Sequence, residues 1–135
     1  MAKESGLGAT FSVDDSGTSA RAITNDVTNF DISTPRNLQD VTGLDKSAVE
    51  RLQLLADGQV TFNAAFNDGA TTGSHTVLKD VISSAVVRTV TIVHSGQTLG
   101  MEMLGADYAV SRGADGALGV SVPFSLSDGS VPTWS

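Results

Sequence analysis

The sequence predicts a mainly β protein: an antiparallel β-sandwich or split barrel with one packed α-helix over about residues 45–56. A short second helix fits residues 75–83. Three observations lead there. Apolar and polar residues alternate in several short segments, most cleanly at Leu118, Val120, Val122, Phe124 and Leu126. Turn-forming clusters separate those segments, among them Asp14-Asp15-Ser16-Gly17, Asn67-Asp68-Gly69 and Gly113-Ala114-Asp115-Gly116. One stretch, Leu44, Ala48, Leu52 and Leu55, repeats at spacings of four, four and three. A period of two marks half-buried strands, and spacings of three and four mark one face of a helix.

The elements follow in order. Residues 1–9 are small and polar, with Gly6 and Gly8, and read as a flexible N-terminal arm. Thr10 to Val13 alternates and runs into the Asp14 to Gly17 turn. Arg21 to Ile23 is extended again, and Val27 to Ile32 alternates, with Val27, Phe30 and Ile32 partly sharing a face. Pro35 interrupts regular pairing because it has no amide to donate to a ladder. Thr34 to Asp45 is expected to be an irregular connection.

The helix is expected next, from Asp45 to Ala56. Ser47 and Glu50 have capping-box spacing, with Asp45 as a competing cap. Gly58 suits a left-handed residue after its end. A lone helix of this length is unstable in water, so its leucine stripe is expected to cover a sheet. Gln59 to Phe66 is a strand with Val60, Phe62, Ala64 and Phe66 on one side. Leu78, Val81 and Ile82 are spaced as the short second helix. Strands at 86–94, 98–104, 108–112 and 118–126 then form a meander, and residues 130–135 are a tail holding the single tryptophan, Trp134.

Size and composition bound the rest. The chain has 135 residues, which suits one domain spanning 1–135, and it contains no cysteine, so disulfides and thiolate metal sites are ruled out. Charged residues make up 17% against a common share of about 25%. Such a surface can be wrapped in neighbouring subunits while burying few ions, which are costly when unpaired. The net charge is −7, and the basic residues Lys3, Arg21, Arg36, Lys46, Arg51, Lys79, Arg88 and Arg112 are scattered. Without a basic patch, tight phosphate binding is disfavoured. No segment approaches the roughly 20 apolar residues of a membrane-spanning helix. The opening residues have no apolar run, so a secretory signal is not expected.

No catalytic, cofactor-binding or metal-ligating residue emerges. His75 and His94 are far apart in sequence and lack partners at fixed spacing, whereas zinc needs three or four clustered ligands. No serine lies in a Gly-x-Ser-x-Gly elbow. Asp14, Asp15 and Asp26 lack the spacing of a calcium loop and are read as turn-shaping residues. Gly6-Leu7-Gly8 is too short for a dinucleotide fingerprint, and Gly43 to Ser47 lacks the Gly-Lys-Ser/Thr order of a phosphate loop. No cofactor is expected, and the chain reads as a non-enzyme.

The segment Gly43 to Asn67, GLDKSAVERLQLLADGQVTFNAAFN, resembles the region of major tail tube proteins of long-tailed bacteriophages in which a helix runs into an acidic-Gly turn and a Val-Thr-Phe-x-x-x-Phe-Asn strand. The C-terminal half is similar too, down to the closing Gly129, Val131 and Trp134. The similarity covers the chain from about Thr10 onward, and the order of elements carries more weight than any single motif. It implies a subunit that forms rings of six, with the sheets joined into one inner barrel and the rings stacked into a hollow tube for DNA. The implied partners are further copies of the chain, the tape measure and tail terminator proteins, and DNA that passes without specific binding. The implied location is the virion tail, after folding and assembly in the host cytoplasm. The chain is shorter than that pattern and lacks an extra surface domain.

Physical reasoning agrees with the resemblance. Sheets shared between subunits remove exposed edges, a general aggregation hazard, and an acidic channel repels phosphates. Two other expectations stand beside it. A capsid decoration or head–tail connector protein shares the β-rich, acidic, cysteine-free character. A carbohydrate- or ligand-binding sandwich usually displays several exposed aromatics, which the 5% aromatic content makes scarce.

Overall fold

The computed structural model describes residues 7–135. Its strands are β1 (Thr10–Asp14), β2 (Ala20–Ala22), β3 (Val27–Ser33), β4 (Arg36–Asp40), β5 (Arg51–Ala56) and β6 (Gln59–Ala65), followed by β7 (Arg88–His94), β8 (Gln97–Gly105), β9 (Ala109–Arg112) and β10 (Leu118–Leu126). One short helix, α1 (Ser74–Leu78), lies between β6 and β7. The expected N-terminal arm lies outside the described residues except for positions 7–9.

All strand pairings are antiparallel. The main sheet runs β2-β1-β7-β8-β10-β6-β3, with β9 also paired to β10, while β4 and β5 form a separate two-stranded ribbon. β10 is the hinge of this order. Its residues 124–126 pair with β8, and its residues 118–121 pair with β9 on the same side. Along its other side β6 runs from Gln59 to Ala65. The sheet therefore folds over itself as a sandwich, with β2-β1-β7-β8 facing β9-β10-β6-β3.

Aromatic contacts confirm the folding over. Phe11 of β1 lies 4.6 Å from Phe62 of β6 and 5.8 Å from Phe30 of β3, measured between ring centroids. These strands are far apart in sheet order, so the rings meet across the sandwich. Val13, Val60, Val90, Ile92, Leu99, Met103, Val122 and Phe124 complete a dry core. Each such side chain contributes roughly 1.5–3 kcal/mol of hydrophobic stabilisation, and period-two patterning is what brings so many to one side.

β3 shows how sequence sets register. A bulge lies between Val27 and Asn29 in its pairing with β6, so Val27 is opposite Ala64 and Phe30 opposite Phe62. The extra residue lets Val27 and Phe30 share the core side although they are three positions apart. Strict alternation would have pointed one of them outward.

The structure corrects the expected helix at 45–56. Residues 51–56 are strand β5, and residues 36–40, expected to be irregular, are its partner β4. The leucines of that stripe cover no sheet: Leu44, Leu52 and Leu55 are exposed. Arg51 to Ala56 carries apolar residues both at helical spacing and at Leu52 and Leu54, which alternate. The backbone bonds of a hairpin settled that ambiguity. The helix expected at 75–83 is present but shorter and slightly earlier, at Ser74–Leu78, with turns continuing to Ser83.

α1 and its flanking loops close one end of the sandwich. Val77, Leu78 and Val81 are buried there. The Asp26 carboxylate accepts the Ser74 amide at 3.1 Å and the Asn67 side-chain amide at 3.0 Å, and the Ser74 hydroxyl donates to the Ala65 carbonyl. Gly73 precedes the helix in a tight loop. A Cβ placed on it would sit 2.5 Å from the Asn67 carbonyl oxygen and 2.7 Å from the Gly69 amide nitrogen. Both neighbours are backbone and cannot rotate away. Gly73→Ala is expected to destabilise the fold by about 1–3 kcal/mol, the usual cost of overpacking. Urea unfolding would show this as a lower midpoint with an unchanged slope.

Candidate assembly surfaces

The ribbon β4–β5 is the most unusual surface of the molecule. From Ser33 to Leu55 every residue is exposed except Thr42, which is half-buried. Leu38, Val41, Leu44, Val49, Leu52, Leu54 and Leu55 are all among the exposed large apolar side chains, with Leu55 at 82%. Scattered surface leucines are common, but this many on one projection mark an interaction surface.

Local bonds nonetheless give the ribbon a defined shape. At its base the Asp57 amide donates to the Pro35 carbonyl at 2.9 Å. Midway, Arg36 Nε donates to the Leu54 carbonyl at 2.8 Å. Near the tip the Thr42 hydroxyl bonds the Asp40 carboxylate, and the Glu50 amide donates to that hydroxyl at 2.8 Å. The hydrogen bonds from the Thr42 hydroxyl and amide hold the Asp40 carboxyl below its ordinary pKa. An isolated two-stranded ribbon is marginal in water, and these braces help to hold its shape.

The second surface is the pair of open edges on one face of the sandwich. In β9-β10-β6-β3 the terminal strands β3 and β9 each pair on one side only among the described residues. The outward side of this sheet carries small polar residues. Asn29, Asp31, Thr61, Asn63, Ser111 and Ser121 face out opposite one another, and Asn63 donates its side-chain amide to Asn29 at 2.7 Å. The one cation on these strands, Arg112, pairs with Leu118, on the opposite side from Ser111.

The residues weighed as chemical candidates have structural surroundings. Asp15 accepts the amides of Gly17 and Ser19, both at 3.0 Å, and Arg21 Nε at 3.0 Å. Those bonds, led by the one from Ser19, lower its pKa. It shapes the β1–β2 turn, and Asp26 closes the turn at 24–26 with its amide while its carboxylate anchors α1. The His75 ring stacks on Phe66 at 4.5 Å, and its Nδ1 is hydrogen-bonded to the Tyr108 hydroxyl at 2.7 Å. Burial raises the Tyr108 pKa. His94 ends β7. Gly43 to Ser47 forms the tip of the exposed ribbon, and Gly6 lies outside the described residues. Among the described residues no three metal-ligating side chains come together.

One polar residue escaped the sequence reading. Arg88 begins β7 and its side chain is 1% exposed. Its guanidinium donates to the carbonyls of Val77 at 2.6 Å and Asp14 at 3.2 Å, and forms an ion pair with Asp80 at 2.7 Å. The only signal was a lone arginine heading an apolar strand. Burial pushes the Asp80 carboxyl upward, but hydrogen bonds from Ser16 and Arg88 together with the Arg88 charge outweigh it, and the net shift is downward. A lowered folded-state value means that ionised Asp80 stabilises the fold above its unfolded pKa. That contribution is lost as pH falls through the folded value, below about 4. Asp80→Asn should therefore narrow the stability difference between pH 7 and pH 3 relative to the unmodified chain, read from paired urea titrations.

No protein-family model matches the chain, and no curated protein matches it by sequence. Solved structures do match by shape. A chain in the virion of a native gene transfer agent particle superposes with a TM-score of 0.79 at 12% identity, covering 98% of this chain and 99% of that one. A chain in the tail of an empty gene transfer agent particle, solved with helical refinement and C6 symmetry, gives 0.76 at 13% identity, with 98% of both chains covered. The SPP1 tail tube gives 0.73 at 9% identity, covering 96% of this chain and 81% of that one. The chain has the fold seen in the SPP1 tail tube. Coverage is near-complete in both directions for the two gene transfer agent chains. The tail-tube-like fold expected from the order of elements is thus present, although the segment 45–56 that helped suggest it holds a loop and then strand β5 where a helix was expected.

Proposed function

We propose that this chain is a structural, non-enzymatic subunit of a phage-type tail, self-assembling into stacked rings of six that form a conduit for DNA. The observation that carries this reading is the β4–β5 ribbon, whose apolar side chains find no cover within their own chain. Its fit to a tail-tube fold, and the sixfold symmetry of the similar gene transfer agent tail, support a second copy as the cover. Within a ring, β3 of one copy pairs with β9 of the next, so that the outward polar face becomes continuous around a channel. Closed cyclic symmetry satisfies every such edge, and head-to-tail stacking propagates the tube. The face so placed has Asp31 and small polar side chains without a cation, which suits passage of a polyanion without capture. The other tail components that meet the ends of the tube are the remaining partners, and the virion tail is the location.

Negative-stain electron microscopy of the purified full chain tests this. Stacked rings or tubes of uniform width are expected. A protein that stays strictly monomeric at high concentration under every condition overturns the reading, and isolated single rings would favour a head–tail connector.

A further inference from the structure

β8 has unequal edges. β7 accompanies one of them from Gln97 to Met103. On the other, β10 takes only Met103 to Gly105. The rest of that edge lies beside the segment 127–135. The Ser127 amide donates to the Glu102 carbonyl at 3.0 Å. At the far end the Thr98 amide donates to the Ser135 carbonyl at 2.7 Å, and the Ser135 amide returns a bond to Thr98 at 2.8 Å. Trp134 lies opposite Leu99. Between these ends the segment is loosely held, with Val131 and Trp134 half exposed.

We propose that segment 127–135 is a strap that guards the β8 edge against pairing with another chain. An uncovered edge presents a row of free amides and carbonyls on which a foreign strand can build. The one charge β8 carries here, Glu102, is turned toward β7, where its carboxylate accepts from the Thr89 hydroxyl. The strand has no proline and no lysine, and its register with β7 is unbroken. Its outward residues here are Thr98, Gly100 and Glu102, none of which bars an approaching backbone. The strap supplies the missing protection by satisfying Thr98 and Glu102 itself, so that β8 does not compete with the edges of β3 and β9 for a partner strand. That last clause rests on the proposed ring, whereas the guarding of β8 does not.

The test compares three variants with the full chain by light scattering over a concentration series, with circular dichroism to verify folding. A chain ended after Ser127 should stay folded and begin to associate at about tenfold lower concentration, the factor that one net backbone hydrogen bond supplies. Adding Gly100→Lys to the shortened chain should restore the original onset. A Cβ at Gly100 meets no atom within 4 Å, so the lysine enters without collision and repels an incoming strand. Ser135→Pro in the full-length chain removes one strap bond and should move the onset in the same direction by a smaller factor; it decides the matter if the shortened chain does not fold. An unchanged onset in the folded variants overturns the proposal, as does association that Gly100→Lys fails to reverse. Because each comparison is made against the full chain, failure of that chain to form tubes would count against the ring and leave this test intact.

Discussion

Replacing Leu52 and Leu55 together by Asp is expected to abolish assembly while leaving the subunit folded. Both side chains are exposed on β5, at 53% and 82%, and neither belongs to the buried core. Surface substitutions of this kind usually change stability by no more than about 0.5 kcal/mol. In the proposed assembly the same positions would lie against another copy, and two unpaired carboxylates there would carry a desolvation cost of several kcal/mol each. Far-UV circular dichroism and the thermal midpoint should therefore match those of the unmodified chain, while sedimentation shows monomer. Loss of the fold would contradict the exposure of the ribbon, and tubes of normal length would remove it from the interface.

The second large effect is expected at Arg88. Truncation to Ala removes a guanidinium that satisfies two backbone carbonyls and one carboxylate at the closed end of the sandwich. Breaking a buried ion pair from one side typically costs about 3–5 kcal/mol. Asp80 is 29% exposed and can turn to water, so the lower end of that range, about 3 kcal/mol, is expected for Arg88→Ala. Asp80→Asn should cost clearly less, because the two carbonyl bonds remain. Equilibrium urea unfolding of both variants checks the order. Equal losses would mean that the ion pair, not the backbone bonds, holds the 66–87 region to β7.

The sequence showed the strands of the core and misread the ribbon, for one physical reason. Hydrophobic periodicity reports which face a segment turns toward its own core. β6 and β10 bury Val60, Phe62, Val120, Val122 and Phe124 inside this chain, so alternation located them closely. Leu44, Leu52 and Leu55 bury nothing inside it, so their spacing carried no information about a face and imitated a helix by chance. The bulge in β3 was foreshadowed by Val27 and Phe30 sitting three apart, although the sequence alone left that spacing unexplained. The exposed ribbon, the candidate site itself, was hidden because an assembly surface is apolar for the sake of a neighbour that the single chain does not reveal. Arg88 was missed because a buried arginine is recognised only through its acceptors, and these come to it from different places in the chain: Asp14 at the end of β1, Val77 in α1 and Asp80 in the turn after it.

β10 belongs to both halves of the sandwich, joined to β8 near its C-terminal end, to β9 near its N-terminal end and to β6 along most of its length. The two layers are stitched by covalent backbone and cannot shear past each other as layers joined only by loops can. A load applied to either layer is carried straight into the other, and the subunit responds as one stiff brick. Any column built from such bricks must therefore take up curvature at its mortar, in the contacts between copies, while each brick keeps its shape.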